Sequence, residues 1–140
     1  MHALREMVRV LKPDGRLLDL RPIGGLAPVD IMSDGRAETV FEIDGSPGDA
    51  DDRASNAALQ KLVDEGLLVE TAREVFRYRH YWDTVDEMHE EIAKTWSQRN
   101  VIPDSQDLNP ARRAHKAAGP TATVRVSRKM RLCGYRLNGM

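Results

Sequence analysis

The sequence predicts an α/β fold of the three-layer type, in which helices cover a mixed sheet. Segments with the apolar spacing of helices alternate along the chain with segments that have the two-residue period of strands. Their order is helix, strand, hairpin, helix, strand, two helices and a final strand, which is typical of helices packed on a sheet. With 140 residues, the chain is long enough to bury a core, so we expect a single domain over residues 1–140.

The N-terminal segment predicts a helix, a turn, a strand and a loop. Apolar residues recur at helical spacing over residues 2–11. Pro13 ends this helix, and the letters KPDG favour a turn because proline presets one backbone angle and Gly15 tolerates left-handed backbone. Residues 16–20 have the composition of a short, largely buried strand. Residues 21–28 are interrupted twice by proline, so we expect a loop there. The apolar positions of the helix are Leu4, Met7, Val8 and Leu11.

The next segment predicts a hairpin, an acidic loop and a helix. Two short apolar runs flank the turn letters SDG, which is typical of a β-hairpin over residues 29–43. The letters DGSPGDADDR, at about residues 44–54, are expected to form a flexible acidic loop. Ser55 or Asn56 can then cap a second helix, which Gly66 ends by adopting left-handed backbone.

The C-terminal half predicts a long strand, two helices and a last β segment. Residues 68–82 alternate with a period of two, so we expect a strand with at least one face in water. Thr84 and Glu87 have the spacing of a capping box, which begins a third helix. An Asn-Pro pair at residues 109–110 opens a fourth helix, and residues 121–137 are expected to form a strand or a hairpin.

Composition favours a cytoplasmic protein without a structural metal. No apolar run approaches the roughly 20 residues that a membrane helix needs, so we expect no membrane contact. The N-terminus lacks the apolar region and the cleavage site of an export signal. Cys133 is the sole cysteine and cannot form an internal disulfide, and the four histidines lack the spacing of zinc ligands.

Charge is distributed unevenly although the net charge is only −1. The chain is acidic between residues 38 and 65 and has no acidic residue after Asp107. One interpretation is that the basic end neutralises the acidic middle of the same chain, which the isoelectric point of about 6.4 favours. The alternative is an anion-binding face that contacts RNA or another polyanion. Its residues would be Arg125, Arg128, Lys129 and Arg131.

The letters LLDLRPIGG, which end at Gly25, have the general form of a strand followed by a glycine-rich cofactor loop. Such a loop needs glycines where the backbone bends towards the ligand, and a helix N-terminus behind it. Here Arg21 and Ile23 stand at the positions of the first two glycines, and Pro22 removes a backbone N–H. No helix is predicted to follow directly, so we expect Gly24 and Gly25 to belong to an ordinary loop.

The letters ALREMVRVLKPDGRLLDLRP resemble a segment found late in class I S-adenosylmethionine-dependent methyltransferases, where a helix ending in RVLKPGG leads into the fifth strand. The match covers residues 3–22, with Asp14 in place of the usual first glycine. Aspartate tolerates left-handed backbone, so the departure is mild. The following residues are compatible with the same family, because they predict a late helix, a strand with aromatic residues and a helix entry of the form D-[TS]-x-[DE]-E.

The resemblance implies that this chain corresponds to the C-terminal half of a Rossmann-like fold, with the final β segment inserted antiparallel beside the fifth strand. In the family, the residues that hold S-adenosylmethionine precede the matched region, so no catalytic or cofactor-binding residue is assigned here. The chain would be inactive alone, as a fragment or as half of a split enzyme, and the cofactor would bind only to a full-length or complemented form. A remnant that serves as a non-enzymatic binding or oligomerisation module is the alternative.

Two further expectations follow from this topology. Ligands bind at the carboxyl ends of the strands in open α/β sheets, which would place Arg21, Pro22 and Ile23 near a substrate. The strand at residues 16–20 would lack a neighbour on one side, and a bare apolar edge invites pairing. We expect this edge to be covered by self-association, by the hairpin at residues 29–43 or by a partner chain.

Overall fold

The structure is a computed structural model that describes residues 2–139. Over these residues the chain forms four α-helices, two 3₁₀ helices and five strands, so the predicted α/β class is confirmed. No helix in this part of the chain is long and apolar enough to cross a bilayer. The α-helices and strands are α1 His2–Val10, β1 Arg16–Pro22, β2 Leu26–Ser33, β3 Arg36–Asp44, α2 Asp49–Asp64, β4 Leu68–Trp82, α3 Val85–Thr95, α4 Asn109–Ala118 and β5 Thr123–Leu137. The 3₁₀ helices are Ser46–Gly48 and Ser105–Leu108.

The last strand, β5, joins the others into a sheet. It pairs antiparallel with β1, where Leu20 is opposite Leu132, and antiparallel with β2, where Val29 is opposite Val126. β4 also pairs with β5, and β2 pairs antiparallel with β3, which gives the order β1-β5-β2-β3 with β4 beside β5. The sheet is antiparallel, whereas the sequence predicted a mixed sheet. A mixed sheet would need two neighbouring parallel strands. Instead β5 pairs with both β1 and β4, so these two strands are not neighbours within residues 2–139.

The described chain folds as two compact units. Unit 1 contains residues 2–23, 50–76 and 130–139, and unit 2 contains residues 24–49 and 77–129. Strands β4 and β5 contribute residues to both units, whereas α1 belongs to unit 1 and α3 and α4 belong to unit 2. Each unit has a hydrophobic cluster of its own, where the sequence predicted one domain.

In unit 1, helices α1 and α2 pack on β1 and on the nearby parts of β4 and β5. Helix α2 ends as predicted, because Gly66 has a φ of 74° and its N–H donates to the Val63 oxygen at 2.9 Å. The Leu67 N–H donates to the Leu62 oxygen at 3.0 Å, which completes a Schellman motif. The buried side chains of this cluster are Leu59, Leu62, Leu68, Cys133 and Tyr135.

In unit 2, the β2–β3 hairpin packs with α3, α4 and the first part of β5. Asp34 and Gly35 have φ angles of 49° and 74°, as a two-residue hairpin turn requires, so the predicted hairpin is confirmed. The Thr84 hydroxyl accepts a hydrogen bond from the Glu87 N–H at 3.1 Å, which confirms the predicted start of α3. The largest fully buried side chains are Val29, Ile43, Met88, Ile92, Leu108, Val124 and Val126.

Two segments that the sequence predicted as loops are largely regular. Residues 44–54 contain a 3₁₀ helix and the beginning of α2, so the prediction of a flexible acidic loop is wrong. Pro47 suits the first turn of a helix, and Asp49 and Asp51 are stabilised near a helix N-terminus. Residues 21–28 contain the end of β1 and the start of β2, because pairing with distant strands supplies hydrogen bonds that the local sequence does not reveal.

Replacing Gly66 with alanine should lower the free energy of unfolding by about 1 kcal/mol, because a Cβ is strained in left-handed backbone. Gly139→Ala is the matched control, since a Cβ there meets only an ordinary contact at 3.7 Å. Urea denaturation of both variants measures the difference. Equal stability of the two variants would contradict the role of Gly66 in ending α2.

Candidate functional sites

Arg21, one of the three residues predicted near a substrate, lies at the end of β1 in unit 1. Its guanidinium forms a bidentate salt bridge with Asp19, with Nε–Oδ1 and Nη2–Oδ2 distances of 2.8 Å. It also donates to the Asn56 side-chain oxygen at 2.5 Å and to the Asp52 backbone oxygen at 3.2 Å. Burial lowers the pKa of Arg21, but the hydrogen bond and the charge of Asp19 outweigh this effect and raise it. Arg21 therefore connects β1 to α2.

A cavity of about 340 Å³ borders Arg21 and Asp19. Its volume is in the range of small-molecule pockets, so a small substrate could fit beside Arg21. The other two residues of that prediction, Pro22 and Ile23, are half-buried and do not line this cavity. The remaining walls are formed by Leu4, Ala54, Ser55, Ala58 and Leu59.

Gly24 and Gly25 in unit 2 are packed against their own chain. A Cβ at Gly24 would lie 1.9 Å from Oδ1 of Asp49, so this carboxylate already occupies the space beside the glycine. The Gly45 N–H donates to the Gly25 oxygen at 2.8 Å. Because the Asp49 carboxylate fills the space beside Gly24, this glycine does not leave the opening that a cofactor loop needs.

The four basic residues predicted to form an anion face do not share one side of β5. Side chains alternate along a strand, so Arg125 and Lys129 lie on one side and Arg128 lies on the other. Lys129 is exposed, while the other three are half-buried. Arg131 belongs to unit 1, where it donates a hydrogen bond to the side-chain oxygen of Asn56.

Residues of β4 lie beside Arg125 and Lys129 in unit 2. The Tyr81 side chain lies close enough to Arg125 to contribute to raising the pKa of Arg125. Arg77, Arg79 and Tyr81 occupy every second position of β4, so their side chains lie on the same side as Arg125 and Lys129. Tyr81 is 56% exposed, and Arg77, Arg79 and Lys129 are also exposed. The alternation of these residues is visible in the letters RYRHYW, but the strand beside them is not. We name this set the basic face of unit 2: Arg77, Arg79, Tyr81, Arg125 and Lys129.

Asp30 is the acidic partner within this face. It is only 4% exposed, and its Oδ2 accepts a hydrogen bond from Arg125 at 2.7 Å. The Thr39 hydroxyl donates to its Oδ1 at 2.7 Å. The hydrogen bond with Asp30 raises the pKa of Arg125, although burial opposes the shift. Asp30 therefore compensates the charge of Arg125. The exposed cations of the face are Arg77, Arg79 and Lys129.

An aromatic cluster surrounds His80 in unit 2. The His80 ring lies 4.6 Å from Tyr78, 5.8 Å from Trp82 and 5.1 Å from Trp96, measured between ring centroids. The Arg128 guanidinium lies 4.2 Å from the Trp96 ring centroid, in a cation–π contact. Burial, followed by the charge of Arg128, lowers the pKa of His80. The cluster thus packs around a histidine that is difficult to protonate.

Two glutamates of α3 are engaged in structural contacts. Glu87 helps to cap the helix by accepting from the Asp83 N–H at 3.2 Å, and Glu91 accepts from the Trp82 indole at 2.6 Å. His89 lies 2.9 Å from the Pro103 backbone oxygen. Within residues 2–139, no group of three histidine, cysteine, aspartate or glutamate side chains is arranged to hold a metal ion.

Comparison with known proteins identifies no relative of this chain: no protein-family model, no curated protein and no solved structure matches it. The resemblance to methyltransferases therefore depends on the letters of this chain. The strand order of the sheet is the structural feature that can be compared with this resemblance.

Stability should decrease as pH falls from 7 to 5, and His80 should account for part of the decrease. Its pKa in the folded protein is below the ordinary value of 6.5, so the unfolded chain binds the proton more readily in this range. His80→Gln should reduce the slope of the unfolding free energy against pH. His2→Gln, at an exposed site on α1, is the control and should retain the slope. Urea denaturation at several pH values measures both, and identical slopes for all three proteins would contradict the prediction.

Proposed function

We propose that this chain forms the last part of a class I methyltransferase-like domain, and that a segment outside this sequence binds S-adenosylmethionine. The observation that carries the proposal is the strand order of unit 1. β5 pairs antiparallel with β1 and pairs with β4, so the last strand lies between two strands that precede it. The resemblance in ALREMVRVLKPDGRLLDLRP implies this order, because the final strand is expected to insert beside the strand that follows this motif.

The motif itself adopts the conformation that the proposal requires. Helix α1 ends at Val10, and the Gly15 N–H donates to the Lys12 oxygen at 2.8 Å, which closes the turn before β1. The Asp49 carboxylate fills the space beside Gly24, and the resemblance implies that the cofactor-binding residues lie outside this sequence, so this chain is assigned no cofactor-binding or catalytic residue. Methyl transfer would belong to the complemented domain, which we place in the cytoplasm.

The exposed side of β1 is the surface that the rest of the domain would cover. Leu18 and Leu20 are 64% and 54% exposed on the same side of the strand. Among the strands of residues 2–139, β1 pairs only with β5, and the hairpin pairs with β5 instead of with this edge. An edge strand with apolar side chains invites a partner. We propose that the preceding half of the domain covers it, with a second copy of this chain as the competing occupant.

Isothermal titration calorimetry with S-adenosylmethionine tests the proposal. The isolated chain should give no binding heat, and binding should appear after co-expression with the polypeptide encoded immediately before it. Tight binding by the isolated chain would contradict the proposal, as would failure of the co-expressed pair to bind.

A pair of leucine variants tests the covered surface of β1. Leu20→Asp should prevent co-purification of the two polypeptides, because it places a charge on the surface that they share. Leu26→Asp is the matched control, since this leucine is 63% exposed but lies in unit 2. Equal effects of the two substitutions would exclude β1 as the contact, and self-association lost only in Leu20→Asp would identify a second copy as the occupant.

A second candidate function is polyanion binding, and the basic face of unit 2 is the observation that favours it. Exposed arginines with an aromatic side chain beside them are typical of surfaces that bind single-stranded nucleic acid, because phosphates contact the cations and bases stack on the ring. Tyr81 supplies the aromatic group that is missing near Arg125 and Lys129 in the linear sequence. This candidate requires neither S-adenosylmethionine nor a second polypeptide.

Replacing Arg77 and Arg79 with glutamine should weaken binding to a single-stranded RNA oligonucleotide and reduce its salt dependence. Each phosphate contact that is lost should reduce the slope of log K against log salt concentration by about 0.7. The matched control replaces exposed Arg16 and Arg36, which removes the same charge elsewhere. Fluorescence anisotropy at several salt concentrations measures both variants, and equal slopes would contradict a role for the basic face.

A further inference from the structure

A cavity of about 320 Å³ lies between α2 and the strands β4 and β5 in unit 1. Its volume is at the lower end of the range for small-molecule sites, which is about 300–1,000 Å³. The walls that matter for recognition are Asn56, Gln60 and Val63 of α2, Arg73 of β4, and Arg131 and Tyr135 of β5.

Arg131 is the cation of this cavity whose charge is least compensated. It donates to the side-chain oxygen of Asn56, and the same oxygen accepts from Arg21 at 2.5 Å. Two guanidinium groups therefore converge on one neutral acceptor. Arg21 has the carboxylate of Asp19 at 2.8 Å, whereas no carboxylate of residues 2–139 lies within 4.0 Å of Arg131.

Glu70, a carboxylate that the charge of Arg131 affects, already has a partner. The hydrogen bond from Arg73 is the main cause that lowers the pKa of Glu70. Burial opposes the shift, and the charge of Arg131 makes a smaller contribution to it than Arg73 does. Arg73 holds both oxygens of Glu70, at 2.9 and 3.0 Å. One carboxylate thus serves two arginines beside the cavity, which leaves an excess of positive charge that an anion would balance.

We propose that this cavity binds the carboxylate or phosphate group of a small organic molecule, with Arg131 holding the anion. A guanidinium presents parallel N–H donors that match two oxygens of either group. Asn56 already fixes the orientation of this side chain, so little freedom is lost on binding. The inference is independent of the methyltransferase proposal, because every residue it uses belongs to this chain and to unit 1.

Tyr135 and Val63 supply the other two properties of the site. Burial raises the pKa of Tyr135 to about 12, so this side chain stays neutral and adds no negative charge that would repel an anion. Val63 adds an apolar wall, against which the organic part of a ligand can pack. The site should therefore prefer an anion that carries an apolar group to the bare anion.

Four probes at constant ionic strength test the site. Inorganic phosphate and acetate are the bare anions, and phenyl phosphate and benzoate carry the same groups on a ring. NMR titration of labelled protein should show shifts at Arg131 and Tyr135, with the ring compounds binding more tightly. The tighter of phenyl phosphate and benzoate identifies the anion class. Shifts spread over all surface arginines, or none at the cavity, would overturn the proposal.

Variants on one strand separate specific binding from a general charge effect. Arg131→Gln should weaken binding of the preferred probe tenfold or more, whereas Arg136→Gln removes the same charge from an exposed position of β5 and should leave it unchanged. Val63→Phe keeps every charge and fills the cavity, so it should also weaken binding, with folding checked by circular dichroism. Unchanged affinity in folded Val63→Phe, or equal effects of the two arginine substitutions, would overturn the proposal.

Discussion

The fold depends on the backbone pairing of β5, a strand of 15 residues near the end of the chain. Backbone N–H and C=O groups of a buried strand need partners, and β5 provides them for β1, β2 and β4. Its side chains also complete both hydrophobic clusters, with Val124 and Val126 in unit 2 and Cys133 and Tyr135 in unit 1. Among the described strands, β1 and β4 therefore have β5 as their partner, whereas β2 and β3 also pair with each other.

Asn56 organises the charged groups of unit 1 around that sheet. Its side-chain oxygen is the common acceptor of Arg21 on β1 and Arg131 on β5, so one neutral group of α2 contacts two neighbouring strands. Arg21 is compensated by Asp19, which makes it part of the structure of the unit. Within residues 2–139, Arg131 has no such carboxylate, and it borders a cavity. We therefore infer a structural role for Arg21 and a binding role for Arg131.

Local sequence rules predicted most elements and failed where distant partners decide the conformation. The capping pair Thr84 and Glu87 and the terminating Gly66 were correct, because each involves only a few consecutive residues. The acidic stretch near residue 50 was predicted as a loop, since the aspartates that favour turns also stabilise a helix N-terminus. Residues 21–28 contain glycines and prolines that favour a loop, yet pairing with β5 and β3 extends the strands into them.

The sequence by itself determined the α/β class, the hairpin turn and which side chains share a side of each strand, because helical and strand periods are properties of consecutive residues. Only the tertiary structure decided which strands are neighbours, since backbone hydrogen bonds carry little sequence information. That decision placed Tyr81 beside Arg125. It also brought Arg131 to Asn56 across 75 residues, which no spacing in the sequence could reveal.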